Sequence, residues 1–118
     1  MKKIEMIKDR DTFNNIIKKG KFKKNDFFVI YNNINNEKEN NDINYGIAVS
    51  KKYGHAVDRN RIKRQVRAII DNNRNLFKNG FNYIIMVRKS CLGTSFNDLE
   101  NALKELLKYL HLKFAFDV

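Results

Sequence analysis

Between residues 43 and 87 the apolar residues change period twice, and nothing else in the chain constrains its fold as tightly. Ile43, Tyr45, Ile47 and Val49 alternate with Asn44, Gly46, Ala48 and Ser50, the pattern of a strand buried on one side. After Gly54 the spacing changes. Ile62, Val66, Ile69 and Ile70 fall within a sector about 100° wide at helical periodicity. Alternation then returns, with Phe81, Tyr83, Ile85 and Val87 on one face of a further strand.

The flanks extend this frame. Residues 9–19 read as a helix: Phe13, Ile16 and Ile17 share a face, and Asp9 or Asp11 can cap the start. Lys18 and Lys19 suit its negative end, and Gly20 can close it in the left-handed conformation. The β-branched and aromatic run at 27–31 predicts a strand, and "NNEKENND" predicts a polar hairpin loop. The basic helix is expected over 56–73. Ser95 opens a last helix whose Leu99, Ala102, Leu103, Leu106, Leu107 and Leu110 form a continuous stripe, with Ser95 and Asp98 at capping-box spacing. The order αββαβα in 118 residues predicts a single-domain α+β sandwich, helices packed on a mostly antiparallel sheet, with an ordered core at about 8–112.

Apolar runs too short to span a bilayer, and an N-terminus "MKKIEMIKDRD" broken by charges, predict a cytoplasmic protein with no membrane partner. Cys91 is the chain's one cysteine, so neither an internal disulfide nor a cysteine-based zinc site can form. With His55 and His111 it could make a nucleophile–base pair, but the spacing gives that no support. Asp and Glu are too scattered to nominate metal ligands, and no catalytic residue is assigned.

Charge points to a partner. The chain carries 24 Lys and Arg against 13 Asp and Glu, a net +11, and such an excess marks a polyanion-binding protein, nucleic acid first. A Lys- and Asn-rich composition accounts for part of it, but not for arginines gathered on one helix. In "HAVDRNRIKRQVRAII" only Asp58 offsets Arg59, Arg61, Lys63, Arg64 and Arg67. On a helical wheel Asn60, Lys63, Arg64 and Arg67 gather opposite and to one side of the apolar stripe, continued by Arg74. Arg61 lies on the other flank and Arg59 near the stripe's edge. Lys51, Lys52 and His55 precede the helix start, whose free N–H groups attract anions. Guanidinium forks and an amide in one plate suit phosphate and sugar.

"SKKYGHAVDRNRIKRQVR" resembles the signature of the bacterial ribonuclease P protein family, its Arg-Asn-Arg matched by Arg59, Asn60 and Arg61. "RDTFNNIIKKGK", "FFVIY", "YGIAVSKK", "YIIMVRKS" and the Leu-rich C-terminal helix extend the likeness over most of the chain. The resemblance implies a fold like ribosomal protein S5 domain 2, with a left-handed βαβ crossover at the motif helix. It also implies a protein subunit, monomeric alone, that assists a catalytic RNA in metal-dependent removal of the 5′ leader from precursor tRNA. Mg²⁺ would be held mainly by that RNA and the substrate, with no organic cofactor.

Two surfaces follow from the resemblance. Lys51, Lys52, Arg59, Asn60, Arg61, Lys63, Arg64 and Arg67 match the surface that docks on the RNA subunit. Phe13, Tyr31, Arg88 and Lys89 match a cleft for the single-stranded leader, and Ile17 stands where many relatives carry a second aromatic. Tyr31 suits stacking on unpaired bases and ordinary packing equally; Phe13, on its residue pattern alone, reads better as core packing beside Ile16. The competing reading is a structural, ribosomal-protein-like RNA binder with no part in tRNA processing. A protein-only metallonuclease would need clustered carboxylates, whereas Asp9/Asp11 and Glu37/Glu39 read as a helix cap and a loop.

Overall fold

The computed structural model describes residues 4–34 and 42–116, with side chains described as far as 111. The expected hairpin loop at 35–42 lies outside the described residues except for Asp42. Among the described residues five strands and three helices follow one another: β1 (Ile4–Met6), α1 (Arg10–Lys19), β2 (Lys21–Lys24), β3 (Phe28–Ile34), β4 (Ile43–Val49), α2 (Ala56–Asn72), β5 (Phe81–Val87) and α3 (Phe96–Phe116). Short 3₁₀ turns at Arg74–Leu76 and Lys89–Cys91 flank β5.

The strands form one sheet in the order β1-β4-β5-β3-β2. β1 pairs with β4, and β4 with β5, in parallel, whereas β3 pairs antiparallel with β5 and β2. The sheet is therefore mixed, with two of its four pairings parallel where a mostly antiparallel sheet is expected, and the parallel β4–β5 pair is the βαβ crossover that the resemblance implies. The cause is α2: a helix packed on the face between neighbouring strands returns the chain to its starting end, so both strands run the same way. The two added strands, β1 and β2, are not among the elements that the sequence pattern predicts.

One face of the sheet holds the main core. Phe28 and Ile30 of β3, Ile43 and Tyr45 of β4, and Tyr83, Ile85 and Val87 of β5 are buried there. They meet Ile62, Val66, Ile69 and Ile70 of α2 and the whole predicted leucine stripe of α3. Full burial of one such side chain contributes about 1.5–3 kcal/mol, so this face carries most of the fold's stability. α1 crosses the other face, contacting β3 and β5, and buries a smaller cluster around Ile16 and Ile84.

Local chemistry sets the helix ends. Asp9 caps α1, its carboxylate accepting from the Asp11 and Thr12 amides at 3.3 Å and from the Thr12 hydroxyl at 2.7 Å. The Thr12 hydroxyl is the main reason the Asp9 carboxyl lies below its ordinary pKa. Ser95 Oγ accepts the Asp98 amide at the start of α3 at 3.2 Å, as the spacing predicted. Gly20 differs from expectation: it is extended, with φ −76° and ψ 156°. Glycine is needed there for space, because a Cβ would lie 2.4 Å from the Ile16 carbonyl oxygen and 2.9 Å from that of Asn32.

Candidate nucleic-acid interface

The apolar stripe of α2 fixes which way its cations point. With Ile62, Val66, Ile69 and Ile70 turned inward, Asn60, Arg61, Lys63, Arg64 and Arg67 are exposed along the outer side. Among the described residues Arg61, Lys63 and Arg64 take part in no ion pair; Asp71, in the last turn of the helix, pairs with Arg74 of the following 3₁₀ turn at 3.4 Å. Asp58, the acid nearest the cluster, is turned back on the chain, its Oδ2 accepting the His55 amide at 3.0 Å. The plate is therefore uncompensated. Arg67 stands at its inner edge beside the Tyr45 hydroxyl, and its charge opposes the effect of burial, which pushes that phenol's pKa up.

Arg59 behaves differently from its neighbours. It is half-buried, and its Nη1 donates to the Gly54 carbonyl at 2.8 Å and to the Lys51 carbonyl at 3.2 Å. The wheel placed this side chain at the stripe's edge, and the structure turns it back as a staple across the turn that carries Lys51, Lys52 and His55. The same turn is closed by Ser50 Oγ, which accepts the Lys52 amide at 3.1 Å. Lys51 and Lys52 are exposed on it.

Parallel pairing brings a second basic segment to the same end of the sheet. β4 and β5 both finish there, so Arg88 and Lys89 emerge beside the turn that carries the lysine pair. Arg88 Nη1 donates to the Asn25 carbonyl at 3.0 Å, Ser90 Oγ to that of Asp26, and the Cys91 thiol to that of Phe27 at 3.1 Å. These bonds tie the β2–β3 turn to the end of β5. Burial pushes the Cys91 thiol up to about 11, which removes it as a nucleophile.

From this end an open groove runs over the α1 face of the sheet. The register sets its rows: Gly46, Ile84, Tyr31 and Phe22 lie side by side, then Ala48, Met86, Val29 and Lys24. Phe13 is packed against the sheet: a Cβ on Gly46 would lie 2.6 Å from its ring. Phe13 thus serves as wall and packing at once. Ile17, Tyr31, Val29, Met86 and Ala48 are half-buried, and Phe22 is exposed. Three of the expected cleft residues, Phe13, Ile17 and Tyr31, share this face, with Arg88 and Lys89 at its end. Phe22 and Lys24 belong to the face too and were missed, because the alternation in "KFKK" is too short to announce a strand. A further row, Asn33–Asn82–Asn44, is linked amide to amide at 3.0 and 3.1 Å.

Comparison with known proteins resolves the family. The Ribonuclease P family model matches residues 1–111. The chain belongs to this family. A ribonuclease P protein component from Bacillus cereus is 37% identical over 113 residues, covering 96% of either chain. A mutant RNase P protein from Staphylococcus aureus superposes with a TM-score of 0.81 at 34% identity, covering 90% of this chain and 87% of that one. The RNase P protein from Thermotoga maritima gives 0.78 at 30% identity, covering 88% and 96%. The α+β fold read from the sequence is thus that of ribonuclease P proteins.

No group of three or more His, Cys, Asp or Glu side chains that could hold a metal ion occurs among the described residues. No described helix is long and apolar enough to cross a membrane.

Proposed function

We propose that this chain is the protein subunit of ribonuclease P, active in the cytoplasm as one folded domain. It would bind the catalytic RNA through Lys51, Lys52, Asn60, Arg61, Lys63, Arg64 and Arg67, and receive the 5′ leader of precursor tRNA in the open groove. What carries the reading is the uncompensated outer side of α2, together with a half-open sheet face, on the other side of the sheet, that offers an aromatic ring. Two folded polyanions must approach each other, and cations at their junction lower that electrostatic cost. Phe13, Ile17 and Tyr31 line the leader's path, with Arg88 and Lys89 at its phosphates. Arg59 contributes by holding the lysine turn in shape.

In this reading the protein positions and neutralises, and supplies no acid or base. The hydrolytic Mg²⁺ ions, which lower the pKa of bound water and stabilise the departing oxygen, would sit on the RNA and the substrate.

The test is reconstituted cleavage. Added to its cognate ribonuclease P RNA at low Mg²⁺, the protein should stimulate removal of the leader. The Arg61→Glu/Arg64→Glu variant should weaken RNA-subunit affinity by at least about 100-fold while its circular dichroism spectrum stays unchanged. Affinity should fall steeply with salt, with a log–log slope of roughly 0.7–0.9 per phosphate contacted. Tight RNA binding without any stimulation would favour the ribosomal-protein-like alternative, and retained affinity in the double variant would refute the docking surface.

A further inference from the structure

Strand β2 presents a combination that neither packing nor solubility explains. Phe22 is 52% exposed, at the free edge of the sheet. Its ring lies 5.4 Å from that of Tyr31, its antiparallel partner on β3, at an interplanar angle of 39°. Both side chains point to the open face. Around them the chain reads "KKGKFKK", five lysines in seven residues with no acid between residues 12 and 25; Lys24 shares their face, whereas Lys21 and Lys23 turn to the other, Lys23 lying over the Tyr109 ring at 5.5 Å. Lysines alone would be the ordinary protection of an edge strand against pairing, but an exposed phenylalanine among them works against that purpose.

We propose that Phe22 and Tyr31 together form a stacking platform for unpaired nucleobases of single-stranded RNA, extending the groove from its aromatic wall at Phe13 out to the sheet edge. The proposal rests on the leader-binding reading above and adds to it a residue and a direction. Single-stranded RNA is the occupant that fits the chemistry: flat apolar bases stack on rings without demanding a sequence, while a phosphate between them can meet Lys24 on the same face. A second copy of this chain would set the same lysines against one another. Ile17 is the other groove residue on α1 and offers no ring, so stacking beyond Tyr31 falls to Phe22. Lys24 follows on the same face, two residues or about 6–7 Å along the strand.

The experiment uses holoenzyme assembled from the full protein and its cognate RNA, with precursor tRNAs carrying either a long leader or one trimmed to a single nucleotide. Phe22→Ala should weaken binding of the long-leader precursor about tenfold and leave the trimmed one unchanged. Phe22→Tyr should bind like the parent, and Phe22→Leu, apolar but without a π face, like the alanine variant. Full affinity in Phe22→Leu would overturn the platform. So would equal weakening of both precursors, or loss of self-association in Phe22→Ala with leader affinity intact. If Tyr31→Ala abolishes leader dependence while Phe22→Ala does not, the platform fails and the leader cleft stands. If the parent holoenzyme shows no leader dependence, the cleft itself fails and the platform with it.

Discussion

The two faces of the sheet are built from the same three long strands, yet they are different materials. On the α2–α3 side, Phe28, Ile30, Tyr83 and Ile85 are fully buried. On the α1 side their immediate neighbours Val29, Tyr31 and Met86 remain half open, and Phe22 lies outside altogether. Because side chains alternate along a strand, one residue's step separates a position held for stability from one held for surface chemistry. The lesson is that α1 is one short helix laid across a face wide enough for more. What it leaves uncovered is the groove.

Single substitutions on either side of that step should break the symmetry most visibly. Phe28→Ala should lower unfolding free energy by about 3–5 kcal/mol through the cavity it leaves, whereas Tyr31→Ala should cost within about 1 kcal/mol. Urea denaturation of both variants checks this, and equal losses would mean that the open face is core after all. Next in size is Gly46→Ala. Its methyl would meet the Phe13 ring at 2.6 Å and Ile84 Cδ1 at 3.0 Å, so overpacking should cost about 1–3 kcal/mol. Removing the ring with Phe13→Ala in the same chain should recover part of that loss, and a double-mutant cycle would measure the coupling.

The smallest effect belongs to the covered face and appears only with pH. His111 Nε2 meets the Tyr83 hydroxyl at 3.1 Å, and that hydroxyl accepts the Lys78 amide at 2.9 Å. Burial, aided by the charge of Lys78, lowers the imidazole to about 4 from 6.5. The fold therefore prefers neutral His111, and protonation favours the unfolded chain. Its contribution should be complete above about pH 6.5 and decline as the pH falls to about 4, by about 1–2 kcal/mol after solvent screening. His111→Gln should flatten that part of the stability profile; an unchanged slope would assign it to other groups.

Long periodic elements were legible in the sequence because a single repeated spacing decides them. The leucine stripe of α3, the inward side of α2 and the alternation in β5 all took their expected places. β1 and β2 were not legible, since strands of three and four residues are defined by the partners they find, and those partners are distant in the chain. Strand direction escaped the residue pattern as well: the parallel pairing of β4 and β5 follows from where α2 packs, and only the resemblance, through its βαβ crossover, implies it. Gly20 and Arg59 show a finer limit. Sequence places a glycine at a helix end or a cation at a stripe's edge, but neighbouring carbonyls decide whether the glycine must curl or merely be small, and whether the cation reaches out or folds back. Of the groove, Phe13 and Tyr31 stood out in their helix and strand, whereas Phe22 became visible only through its pairing.

The staple formed by Arg59 bears on how quickly a large anion could be captured. Because the lysine turn is fastened to the first turns of α2 from within, it needs no ordering on contact, and the entropy of arranging it has been spent during folding. Encounter then becomes a collision between preformed shapes, whose speed is governed by long-range attraction and so by ionic strength. The residue that surrenders its own reach makes the reach of its neighbours dependable.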